Sequence, residues 1–192
     1  MRRVMPILLV LAGLLAFAPA VSADTVGPPR ESFASVGFDA YSSVCGAQSC
    51  TDTSIYAEHQ TTSSGDEFTY VCTDQFTYNM RTGRGTDVGG CSDVPALTVA
   101  GDLSSASLAP TSIDVCGSHH CTTITVSADL QGTGQATTFR SRYTERDGTC
   151  TFTYADSGQR AYAEASITWD GTTLTGDGSI FSSKTTFTSK CR

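Results

Sequence analysis

The stretch Arg142–Leu174, RYTERDGTCTFTYADSGQRAYAEASITWDGTTL, decides how this chain is read. Thr, Tyr, Phe and Ile fill its alternating runs, and no apolar spacing of helical period interrupts them. Asp147-Gly148 and Asp170-Gly171 are two-residue hairpin signals, and Asp156–Gln159 supplies a turn between them. The first turn pairs Tyr143 with Phe152 and Arg142 with Thr153. The second sets Phe152 against Ala163, Tyr154 against Ala161 and Cys150 against Ala165, and the third sets Ile167 opposite Leu174. Large residues then meet small ones on one face, as close packing requires. The expectation is a four-strand antiparallel meander over 136–176. Upstream, Phe68, Tyr70, Cys72, Phe76 and Tyr78 share one parity, and Thr69, Thr73, Gln75, Thr77 and Asn79 the other. That pattern reads as a strand with its aromatic face buried, Val71 being the apolar exception.

The pattern outside this stretch is also strand, and it occurs twice. With Cys45 laid over Cys116, SSVCGAQSCTDTSIYAEHQ aligns with IDVCGSHHCTTITVSADLQ, and CTDQFTYN at 72 matches CTFTYAD at 150. The fold class is therefore all-β: an antiparallel β-sandwich or meander built from an internal duplication and reinforced by disulfides. A single closed barrel is the alternative. The repeat units are 33–103 and 104–192, the latter including a closing strand after residue 178, and 24–32 reads as a short linker.

Residues 1–23 have the order of a secretory signal: Arg2-Arg3, an apolar run from Val4 to Phe17, and the small-residue site Ala20–Ala23. The run is shorter than the roughly 20 residues that span a bilayer, so a secreted, extracellular protein without membrane insertion is expected once the signal is removed. Scarce lysine beside abundant Arg, Ala, Gly and Thr suggests a GC-rich bacterial source. All eight cysteines (Cys45, Cys50, Cys72, Cys91, Cys116, Cys121, Cys150 and Cys191) lie beyond the signal. An even count in an exported chain argues for disulfides over metal ligation. A turn centred between Arg81 and Thr82 makes Cys72 and Cys91 cross-strand partners, and Cys45–Cys50 and Cys116–Cys121 each close a short loop. Cys150–Cys191 follows by elimination. The competing set joins Cys50 to Cys72 and Cys121 to Cys150.

Without Arg2 and Arg3, ten basic residues face 19 acidic ones, which argues against a nucleic-acid partner. No motif calls for a cofactor. In VCGSHHC (115–121), His119 and His120 are zinc-type ligands, but the matching loop Gly46–Ser49 has none. The reading is a disulfide loop, with His119 and His120 only weak metal candidates. Enzymatic activity is left uncertain and leans no: no nucleophile elbow exists, although a glycosidase-type carboxylate pair drawn from Glu58, Asp129 and Glu164 leaves no local signature. The candidate binding face is Arg140, Arg142, Tyr162 and Glu164, with Thr151 and Thr153, on the outward side of the expected meander. Two arginines beside a tyrosine on a rigid sheet suit an unknown protein, glycan or small ligand. The functional expectation is a secreted, non-catalytic recognition or surface-associated module. The alternatives are a small-ligand carrier with a closed barrel, and a secreted hydrolase with dispersed carboxylates.

Overall fold

The computed structural model describes residues 30–94, 97–118 and 120–191. The expected signal and residues 24–29 of the linker lie outside them, while Arg30–Ser32 already belong to the first strand. The order is β1 (Arg30–Cys45), β2 (Ser49–Thr62), β3 (Glu67–Asn79), β4 (Gly85–Asp93), β5 (Leu97–Val99), β6 (Ser105–Cys116), β7 (Cys121–Gly132), β8 (Thr137–Asp147), β9 (Cys150–Trp169) and β10 (Thr172–Cys191). No helix occurs among the described residues.

Every pairing is antiparallel, and the pairings close on themselves. β10 pairs with β1 through Arg30↔Thr188 to Tyr41↔Asp177 and with β9 through Thr172↔Trp169 to Cys191↔Cys150. The order β10-β1-β2-β3-β4-β6-β7-β9 thus returns to β10. β4 and β5 meet β6 in a single register, and β7 and β8 follow one another along the same edge of β9. Among the described residues, ten strands therefore act as eight staves, β4–β5 and β7–β8 each counting once.

Inside the ring, large side chains again meet small ones. Phe38 lies opposite Ala57 on one side and Ile180 on the other, Ala128 opposite Ile167, and Leu130 opposite Ala165. All of these are buried, and removal of such side chains from water is the main driving term. The bulge at Ala109–Pro110 shifts register between Leu108 and Thr111, so Leu108 and Ile113, of opposite parity, both reach the core. Polar residues such as Asp39, Tyr41 and Asp129 take the outward positions. This is the reverse of a transmembrane barrel, whose apolar side faces lipid.

The structure corrects three local expectations. There is no turn at Asp156–Gln159: β9 runs unbroken for 20 residues, with β10 paired along its whole length. Gly158 is there for clearance, since a Cβ at that position would lie 2.1 Å from the Ser182 carbonyl oxygen. The hairpin at Asp147-Gly148 is closed by Asp147↔Cys150, so Tyr143 faces Tyr154 and Arg142 faces Ala155, two residues from the expected register. In β3 the buried parity is that of Val71 and Thr73, and the aromatics face outward. They are half-covered there because they lie over small neighbours: Phe76 and Tyr78 stack with centroids 5.4 Å apart, and the Phe76 ring occupies the space a Cβ of Gly85 would need. The hairpin at Asp170-Gly171 is as expected, with Ile167 opposite Leu174 and both turn residues at positive φ, 45° and 79°.

The four disulfides are Cys45–Cys50, Cys72–Cys91, Cys116–Cys121 and Cys150–Cys191, the set that hairpin symmetry favours. Each half of the chain holds one at the tip of its first hairpin and one across a later strand pair. Such bonds fit an oxidising compartment.

Candidate functional site

The last three strands outgrow the ring. β6 leaves β7 after Ser105↔Gln131, and β7 follows β9 only as far as Gly132↔Ala163. Beyond that point β8, the first half of β9 and the second half of β10 continue as a sheet, with the start of β1 paired along β10 as far as Arg30↔Thr188. Cys150–Cys191 staples the far end of this tongue.

Alternation gives the tongue two unlike faces. One carries the parity of the ring interior, continuing from Gly178, Ile180 and Ser182. Its cross-strand rows are Arg140–Ser157–Lys184, Arg142–Ala155–Thr186, Thr144–Thr153–Thr188 and Arg146–Thr151–Lys190. Five cations share this face. The tongue's acidic residues, Glu31, Glu145, Asp147 and Asp156, all have the other parity.

The opposite face is aromatic. Tyr143, Tyr154 and Phe187 lie in one cross-strand row, with Phe152 beside them. Phe152 and Phe187 stack at 6.0 Å, Tyr154 approaches Phe187 at 5.0 Å, and Tyr143 lies 6.4 Å from Tyr154. Partial burial, then the Glu145 charge, raises the Tyr154 phenol above its ordinary value. Phe139 extends the row and carries the Arg160 guanidinium 5.8 Å above its ring.

The structure separates the expected face. Arg140 and Arg142 are on the cationic side, with Thr151 and Thr153. Tyr162 and Glu164 sit farther along β9, in the ring wall and on its outer side, opposite Ser179 and Asp177. With no turn at 156–159, an even-numbered residue of β9 cannot share a face with Ala155. Arg146, whose even spacing from Arg140 and Arg142 was visible in the sequence, completes the cationic face together with Lys184 and Lys190, and all three were missed.

His119 lies outside the described residues. His120 is exposed, and its carbonyl accepts from the Gly117 amide at 2.9 Å in the loop closed by Cys116–Cys121. Among the described residues, no group of three or more His, Cys, Asp or Glu side chains is placed to hold a metal. Glu58 is buried on the outer side of β2, where Tyr56 and Tyr70 each donate to its Oε2 at 2.5 Å. Burial first, and the Glu58 charge second, push both phenols far up. Asp129 and Glu164 are exposed on neighbouring strands, separated from Glu58 by β1 and β10. Sequence reasoning also missed a carboxylate pair, Asp74 with Asp87. Burial, and then the hydrogen bond and charge of Asp87, raise Asp74 to about 7. The pair sits on the outer wall.

Two open clefts lie at the ends of the ring. The larger, ≈ 570 Å³, is bordered by Val36, His59, Phe68, Val94, Leu97 and Val99. The other, ≈ 370 Å³, includes Trp169, Leu174, Thr53 and Gln75. Each has one carboxylate on its rim, Glu67 and Asp170 respectively. His59 Nδ1 is 2.8 Å from the Thr69 hydroxyl beside the larger cleft.

No protein-family model and no curated protein matches this chain. A solved structure of an AttH-type protein from Nitrosomonas europaea aligns at 9% identity with a TM-score of 0.24, over 88% of this chain and 56% of that one. A likeness that weak carries no argument about fold or activity.

Proposed function

We propose that this is a secreted bacterial recognition module, non-catalytic and derived from a duplicated unit, and that it binds an anionic group on its partner through the tongue. The observation that supports this reading is the sorting of charge: five cations and no carboxylate on one face, in a chain with 12 basic and 19 acidic residues overall. A solvated strand needs no such segregation. Three of the cations are arginines, which present paired donors to carboxylate, sulfate or phosphate.

Retention on a dextran sulfate resin tests it, because the net charge alone repels the protein from that matrix. The wild type is expected to be held at low salt and released by added salt. Arg140, Arg142 and Arg146 replaced together by alanine should let it flow through. A wild type that is never retained, or a triple variant retained equally, overturns the reading. A second reading, a carrier of small apolar ligands, is favoured by the closed ring and the ≈ 570 Å³ cleft beside His59. Binding of an apolar fluorescent dye that survives the triple substitution and is lost when that cleft is filled would favour the carrier.

A further inference from the structure

The tongue has one long free edge. Among the described residues β8 pairs with β9 alone, through an unbroken register from Thr137↔Arg160 to Asp147↔Cys150. The hairpin loop is the two residues Gly148-Thr149, with Gly148 at φ +58°, so Asp147 and Cys150 form its closing hydrogen-bonded pair. Alternation along an antiparallel ladder then turns the backbone N–H and C=O groups of Arg140, Arg142, Thr144 and Arg146 away from β9, toward open solvent.

Edges of this kind are usually blunted by shortness, proline, a bulge or charge. β8 has 11 residues, no proline and no register shift, so its guard is charge, and on the cationic face that charge is Arg140, Arg142 and Arg146. That guard is selective. In every antiparallel self-pairing centred on residues 141 to 144, an arginine of one copy opposes an arginine of the other. Like charges directly opposite one another destabilise a strand pair. A second copy is thereby disfavoured, and an acidic strand is favoured by the same groups.

Resting on the tongue as the binding element, we infer that β8 accepts an extended segment of a partner protein as an added strand, one bearing carboxylates on one face and apolar side chains on the other. The carboxylates oppose Arg140, Arg142 and Arg146, while the apolar side chains pack beside Phe139 and Tyr143 on the opposite face. Main-chain hydrogen bonds supply affinity and the alternating side chains supply selectivity.

The test uses the full mature chain and a fluorescent nonapeptide of alternating glutamate and valine, followed by anisotropy. Two controls are the same peptide N-methylated on alternate residues along its β8-facing edge, and a peptide of equal composition with the alternation scrambled. Binding by the alternating peptide, weakened at least tenfold by N-methylation and by scrambling, is the expected result. The protein variant Thr144→Pro removes an outward N–H without touching charge. It should lose the peptide at least tenfold and yet remain on the dextran sulfate resin. Equal binding of methylated and unmethylated peptides overturns strand addition while leaving the charge reading intact. A wild type that binds neither peptide nor resin overturns both.

Discussion

The hairpins β3–β4 and β9–β10 occupy equivalent places in the two halves, and each carries a cross-strand disulfide. In the first, 19 residues separate the cysteines; in the second, 41 do. β3 and β4 have 13 and 9 residues, with β3 paired to β2 along its whole length, whereas β9 and β10 have 20 each. Where the longer hairpin stays in the ring, Ala161, Ala163, Ala165 and Ile167 fill the core. Where it leaves the ring, the same parity changes to Gln159, Ser157, Ala155, Thr153 and Thr151, joined by Lys184 and Lys190 from the partner strand. One strand thus answers to two sets of demands, and the second set is not packing.

The sharpest way to break that contrast is to truncate one aromatic in each region. Phe38→Ala, inside the ring and fully buried, should cost about 3–5 kcal/mol of unfolding free energy. Tyr143→Ala, on the tongue and 57% exposed, should cost less than about 1 kcal/mol. Denaturant titration of both variants checks this, and comparable losses would mean that the tongue is part of the core.

The disulfides come next. Loop entropy alone makes Cys150–Cys191 the more stabilising of the two, roughly 4 against 3 kcal/mol. If the tongue frays independently of the ring, the measured order reverses. Replacing Cys72 and Cys91 by serine should lower global stability by about 3 kcal/mol. Replacing Cys150 and Cys191 should leave the main unfolding transition nearly in place while opening Arg140, Arg142 and Arg146 to trypsin. A single transition shifted further by the second pair would show the hairpin unfolding as one unit.

The smallest effect concerns protons. Asp74 titrates near 7 in the folded chain, above its ordinary value, so the folded state holds a proton that the unfolded state has released. Stability therefore falls as pH rises from about 4 to about 7. The decrease should be on the order of 1 kcal/mol, because solvent screens this half-exposed pair. Melting temperature against pH measures it, and Asp74→Asn should flatten the slope.

Much of this was legible in the sequence because hairpins are local. Asp170-Gly171 fixed its own register, and the symmetry of 72 and 91 about residues 81–82 gave Cys72–Cys91. Gly158 misled because a glycine that clears a neighbouring backbone looks the same in sequence as one that turns the chain. That single misreading moved Tyr162 and Glu164 onto the wrong face. The outward aromatics of β3 misled for a related reason: the glycines they lie over are on another strand, as Gly85 is for Phe76. Lys184 and Lys190 joined the arginines only through pairing across distant sequence, which no local pattern announces.

The seam between β1 and β10 sets a condition on timing. Phe33 meets Thr185 and Tyr41 meets Asp177, so the contacts that complete the ring join segments far apart in sequence. An all-β topology rich in such pairings folds slowly, on the millisecond-to-second scale or longer. Until Thr172–Cys191 is available, β1 has an open edge and the interior has an open side. The ring can thus close only once its final strand arrives, and Cys150–Cys191 ties that strand to β9, holding it in place to meet β1.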